Sequence, residues 1–82
     1  MTDLPSARFR AEREGDWLRL EALLDRAERR SAAALDADEL LALPTLYRAT
    51  VSALSVARET SLDRALIDYL EALSTRAYFL LY

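Results

Sequence analysis

Apolar residues recur at helical spacing along almost the whole chain, and no other feature of the sequence limits its fold so strongly. Phe9, Trp17, Leu20, Leu24 and Ala27 are separated by eight, three, four and three residues. Those intervals return to one face of a helix of about 3.6 residues per turn. Leu18 and Leu23 flank the stripe. The pattern predicts a first helix from near Ser6, a plausible N-cap, to about Arg30 or Ser31. Gly15 falls inside it and costs about 1 kcal/mol relative to Ala. One continuous helix is the favoured reading; the others are a kink at Gly15, or a break that makes Asp16 the N-cap of the apolar part.

Two further segments carry the same period. A connector with its own helical turn is expected between Ser31 and Leu43, where Asp36, three residues before Glu39, reads as a capping box. Pro44 disfavours helix at Leu43 and suits the first turn of a new helix. The second helix is therefore expected over about Pro44 to Glu59, with Leu43, Tyr47, Val51 and Leu54 inward and Ala57 or Arg58 closing the stripe. Ser61 can cap a third helix with Asp63 in its first turn, where a carboxylate favours the positive helix end. Its stripe is Leu62, Leu66, Tyr69 with Leu70, Leu73, Ala77 and Leu80. The short joint at Thr60-Ser61 implies antiparallel neighbours. No segment alternates with a period of two. The fold class is all-α, a three-helix bundle with a short helical turn in the first connection; residues 1–5 read as an N-terminal tail and 6–82 as the bundle domain.

Composition matters here because 82 residues is near the lower limit for a core that folds without staples. The chain has neither Cys nor His, which excludes disulfides, thiolate metal sites and the commonest metal ligand and general base. Lys is absent too, so a Schiff base is excluded, and no Gly-rich loop offers a phosphate cradle. No catalytic, cofactor-binding or metal-ligating residue is assigned, no cofactor is expected, and an enzyme is the least favoured class.

All 11 cationic residues are Arg, and Asn and Gln are missing, as the codon bias of a GC-rich genome would produce. With 14 acids the net charge is −3, which opposes non-specific binding to nucleic acid. Acid pairs such as Glu12 with Asp16 and Glu21 with Asp25 lie four apart among Arg residues at helical spacing, the pattern of a solvated, salt-bridged face. Trp17, Tyr47 and Tyr69 read as core or core-edge aromatics rather than cofactor stackers. Arg13, Arg48, Arg58 and Arg76 fall near the apolar stripes. Each is a candidate for a core-edge ion pair, the alternative being an anion site where helices converge.

The N-terminus lacks an apolar signal region, and no stretch is expected to approach the roughly 18 apolar residues of a membrane span. Ala77 to Tyr82 is the longest uncharged apolar run, and the sequence stops within it. Six consecutive helical residues spread around the whole circumference, at about 100° each, so they cannot all face one core. Tyr78, Phe79, Leu81 and Tyr82 are the candidate interaction residues, either for a partner, for a second copy, or for a following segment.

The order Phe9…Arg13…Trp17…Leu20…Leu23-Leu24, Leu43-Pro44…Leu46-Tyr47-Arg48, Leu54…Ala57-Arg58, then Asp63…Leu66…Tyr69-Leu70…Leu73…Arg76-Ala77…Leu81-Tyr82, resembles the N-terminal segment of the stage II sporulation protein M family. The likeness runs from about Phe9 to Tyr82, and each of its pieces is a Leu-rich helix fragment. It implies a cytosolic helical segment preceding several membrane spans, on the cytoplasmic side of a bacterial membrane. In spore formers that family serves peptidoglycan remodelling during engulfment. Glu71 departs from it, standing where Asn is common, and the membrane region lies outside this sequence. The resulting expectation is a non-enzymatic, cytosol-facing protein–protein interaction domain, touching a membrane only through a region absent here. The alternative is a free-standing small adaptor that homodimerises through its apolar C-terminal helix.

Overall fold

Pro5 opens the first helix, because its fixed φ suits the first helical position and its missing N–H would have no intrahelical partner there. In the computed structural model, which describes residues 4–60 and 63–82, helix α1 is Pro5–Arg29, α2 is Ala37–Glu59 and α3 is Arg64–Leu81. A 3-10 turn, Ala32–Ala34, lies between α1 and α2. The described residues contain no strand. The chain is an all-α three-helix bundle.

Helix α1 runs unbroken through Gly15, so Asp16 caps nothing, and Ser6 sits inside the first turn rather than capping it. Leu4 is the capping position and makes no side-chain cap bond. At 25 residues and about 1.5 Å rise each, α1 runs about 38 Å along the 44 Å long axis of the bundle. Phe9, Trp17, Leu20, Leu23, Leu24 and Ala27 are buried as the stripe requires, while Leu18 is 54 % exposed and belongs to the outer face. Eighteen is one residue past Trp17, about 100° round the helix and out of the stripe.

The connection differs from expectation in one respect. Its helical turn precedes Asp36, and Asp36 caps α2 itself. The Glu39 N–H donates to Asp36 Oδ1 at 2.8 Å, and the Asp36 N–H donates to Glu39 Oε1 at 3.0 Å. Two donors of the first turn are thus satisfied at once. Pro44 therefore lies inside α2 instead of starting it. Its missing N–H deprives the Leu40 carbonyl of a partner, and Leu40 is on the exposed side where water can take that role. Leu35 is buried and closes the core under the turn.

The inward face of α2 is also rotated from the expected one. Leu43, Leu46, Thr50, Ala53, Leu54 and Ala57 are buried, whereas Tyr47 is half-buried and Val51 and Arg58 are exposed. Thr50 tolerates full burial because its hydroxyl donates to the Leu46 carbonyl at 2.8 Å. That local bond removes the polar cost that a hydropathy pattern assigns to Thr.

Asp63 is the N-cap of α3, its side chain accepting from the Ala65 N–H at 2.9 Å, and so stands outside the first turn expected for it. Ser61 and Leu62, expected as cap and stripe residue, lie outside the described residues. Leu66, Ile67, Leu70, Leu73, Ser74 and Ala77 are buried, with Tyr69 and Leu80 at the core edge. The Tyr47 and Tyr82 rings meet at 6.2 Å and Arg58 bonds Glu71 at 2.6 Å, so α2 and α3 run antiparallel. Trp17 meets Tyr69 at 6.3 Å while Asp25 meets Arg76 at 2.7 Å, so α1 and α3 run parallel. The topology is up-down-up.

Candidate interaction surface

The antiparallel pairing of α2 and α3 brings the start of one to the end of the other, and there the aromatic residues collect. Tyr78 is 49 % exposed, Phe79 75 % and Tyr82 82 %. Their rings touch one another: Tyr78 and Phe79 at 5.7 Å edge-on, and Tyr78 and Tyr82 at 5.2 Å. Tyr47 of α2 joins through Tyr82. Leu81, singled out with these three, is instead half-buried against the core together with Leu80. Leu40 and Leu41, at the opening of α2, are exposed at the same end of the bundle. Sequence reasoning passed over them. The signal was present for Leu41, which stands about 160° round the helix from the buried Leu43.

The four arginines near the stripes have separate fates. Arg76 reaches from α3 to α1 and bonds Asp25 Oδ1 at 2.7 Å and Glu28 Oε1 at 2.8 Å. These hydrogen bonds, to Glu28 first and Asp25 second, hold its guanidinium charged more firmly than usual. Reciprocally, the Arg76 hydrogen bond keeps the Glu28 carboxyl below the ordinary glutamate value. Arg58 ties α2 to Glu71 of α3. Arg13 lies over the Phe9 ring at 4.3 Å and beside Glu12 at 3.3 Å, a cation–π contact on its own helix. Arg48 is exposed and has no ion pair among the described residues. The three engaged arginines hold three separate sets of partners rather than one shared anion.

The carboxylates are likewise occupied at the seams. Tyr69 donates its phenolic O–H to Glu21 Oε1 at 2.8 Å. Burial, and then that bond, push its ionisation up to about 12. Glu39 accepts from Arg26 across the first connection, which, with the Asp36 N–H, lowers its carboxyl below the ordinary range. Trp17 is 1 % exposed and in ring contact with Phe9 at 5.8 Å, so its indole serves packing. Beside it a groove of about 280 Å³ between α1 and α2 is lined by Arg13, Asp16, Ser52 and Val56 among others. No cluster of three or more acidic groups that could hold a metal occurs among the described residues.

By length and composition α2 could cross a membrane, which corrects the expectation that no stretch approaches a span. From Leu40 to Ala57 its only charge is Arg48. Length and composition are shared by spans and by core helices of soluble bundles.

The sequence profile of a family described as a domain of unknown function (DUF8413) matches residues 7–82, nearly the whole chain. No curated protein and no solved structure matches.

Proposed function

The chain belongs to the DUF8413 family of domains, and we propose, from its surface rather than from that membership, that it is a non-enzymatic helical domain for protein–protein association, docking through the aromatic end of α3. The observation that carries this reading is the cluster of Tyr78, Phe79 and Tyr82, ring against ring and more than half exposed on average. Aromatics on that scale are among the commonest anchors of interfaces, since each removes a large apolar area from water at little cost in rotamer entropy. The lack of His, Cys and Lys, and the engagement of seam carboxylates by Arg and Tyr, favour association over catalysis.

In this reading, which rests on the resemblance to stage II sporulation protein M, the domain belongs to the cytoplasmic side of a bacterial membrane protein and its aromatic end meets a partner there. A coding sequence continuing into several apolar spans of about 20 residues would support that placement. A stop after Tyr82 would favour the free-standing adaptor that pairs through α3.

Sedimentation velocity at tens of micromolar tests the docking surface. The wild-type chain is expected to run heavier than Phe79→Ser/Tyr82→Ser, with equal helicity in both. Identical sedimentation of the two proteins contradicts the reading.

A further inference from the structure

The outward side of α2 carries a second pattern, distinct from the aromatic end. Arg48, Ser52, Ser55 and Glu59 are spaced four, three and four residues apart and are all exposed. That spacing lays them along one line of the helix, opposite the buried residues Leu46, Thr50 and Ala57. Val51 and Val56, each 39 % exposed, flank the line on its two sides. Between Leu40 and Ala57 nothing else on this helix is charged. Neither Arg48 nor Glu59 has an ion pair among the described residues.

We propose that this face of α2 is a homodimer interface, in which α2 of a second copy packs antiparallel with Arg48 opposite the partner copy's Glu59. The line reads cation, Ser, Ser, anion. A two-fold axis between Ser52 and Ser55 turns that order onto its own complement, giving two Arg–Glu pairs at the ends and small hydroxyl residues at the crossing. Self-complementarity of this kind is what an isologous interface requires. Small residues at the crossing let two helix axes approach closely, while the valines cover the flanks.

Charge also selects the register. A parallel pairing stacks Arg48 on Arg48 and Glu59 on Glu59. An antiparallel pairing centred on Arg48 again sets the two guanidinium groups together. Only the staggered antiparallel register matches unlike charges, and like charges set opposite one another disfavour the alternatives. The contact covers only the later half of α2, so the dimer is weak and concentration-dependent. It leaves the aromatic ends at opposite poles, free for the partner proposed above. The two surfaces are separate, so either can fail alone.

The test is a charge swap made in Phe79→Ser/Tyr82→Ser, where association through the aromatic end is removed. By sedimentation equilibrium this parent is expected to dimerise. Arg48→Glu alone, or Glu59→Arg alone, should weaken the dimer about tenfold or more by placing like charges together. Arg48→Glu with Glu59→Arg should restore it to within about threefold of the parent, since the pairs are re-formed with reversed sign. All four positions are exposed, and circular dichroism should show unchanged helicity. A monomeric parent overturns the proposal and leaves this face to another protein or to lipid. So does a dimer indifferent to the single reversals, or a double reversal that fails to recover.

Discussion

Helix α1 turns Arg8, Arg10, Glu12, Asp16, Arg19 and Arg29 to solvent, whereas the exposed residues of α2 between Leu40 and Ala57 are apolar or small and neutral except for Arg48. Both helices bury a full apolar stripe in the same core, so the contrast is confined to their outer sides. On α1 part of the charge is paired: Arg10 lies 3.8 Å from Glu14, Arg13 lies 3.3 Å from Glu12, and Asp25 and Glu28 hold Arg76, while Asp16, Arg19 and Arg29 face water. That face is finished by water and by its own helix neighbours. The outer side of α2 has no such internal completion. The difference teaches that two helices sharing one core can carry quite different outer surfaces, and that the surface left incomplete within the chain is the one on which association is to be tested.

The comparison presumes one shared core beneath both faces, and the largest expected effect tests that. Leu24 is fully buried, and Leu24→Ala should cost about 2–5 kcal/mol in a urea titration. A midpoint that barely moves would mean that α1 is not packed as described. Next in size is a gain on the charged face. A Cβ at Gly15 would meet nothing within 4 Å, so Gly15→Ala should stabilise α1 by about 1 kcal/mol. No gain would indicate that the helix breaks there.

A matched pair of arginine substitutions sharpens the contrast between faces. Arg76→Met removes the bridge between α3 and α1 and should cost up to about 1 kcal/mol, its side chain being one-third exposed and partly screened. Arg48→Met should change monomer stability by less than about 0.5 kcal/mol. Equal losses at the two sites would erase the distinction.

The smallest effects are pH-dependent and belong to the seams of α1. Glu28 and Glu39 are held below the usual value of 4.5. Folding favours their ionised forms, so their contribution is present above pH 4.5 and is lost as pH falls through the lower folded values. Tyr69 is raised from 10 to about 12, so its contribution is present below pH 10 and is lost as pH rises toward 12. Thermal melts should show both limbs, and Tyr69→Phe should flatten the alkaline one.

Periodicity made much of this legible in advance. Trp17, Leu20 and Leu24 are buried where their spacing places them, and the Asp36–Glu39 box is a start signal with a local cause. The departures from the periodic pattern are also local in origin. Pro44 suggested a boundary, but one missing bond near an exposed carbonyl did not outweigh the packing of the helix around it. Thr50 takes the inward place expected of Val51, because a hydroxyl bonded to its own helix behaves as an apolar group. The seam contacts were beyond reach, since Tyr69 with Glu21 and Arg76 with Glu28 join residues 48 apart in sequence. The exposure of Leu41 and Phe79 likewise depends on which side of each helix the others cover.

A dilution series of ¹⁵N–¹H correlation spectra tests most directly the claim that association belongs to the α2 and α3 surfaces and not to α1. The account predicts concentration-dependent shifts at Arg48, Val51, Ser52, Ser55, Val56 and Glu59 and at Tyr78, Phe79 and Tyr82, with Arg8, Glu12, Asp16 and Arg19 unmoved. Shifts centred on those α1 residues, or no concentration dependence at any of these positions, would contradict it.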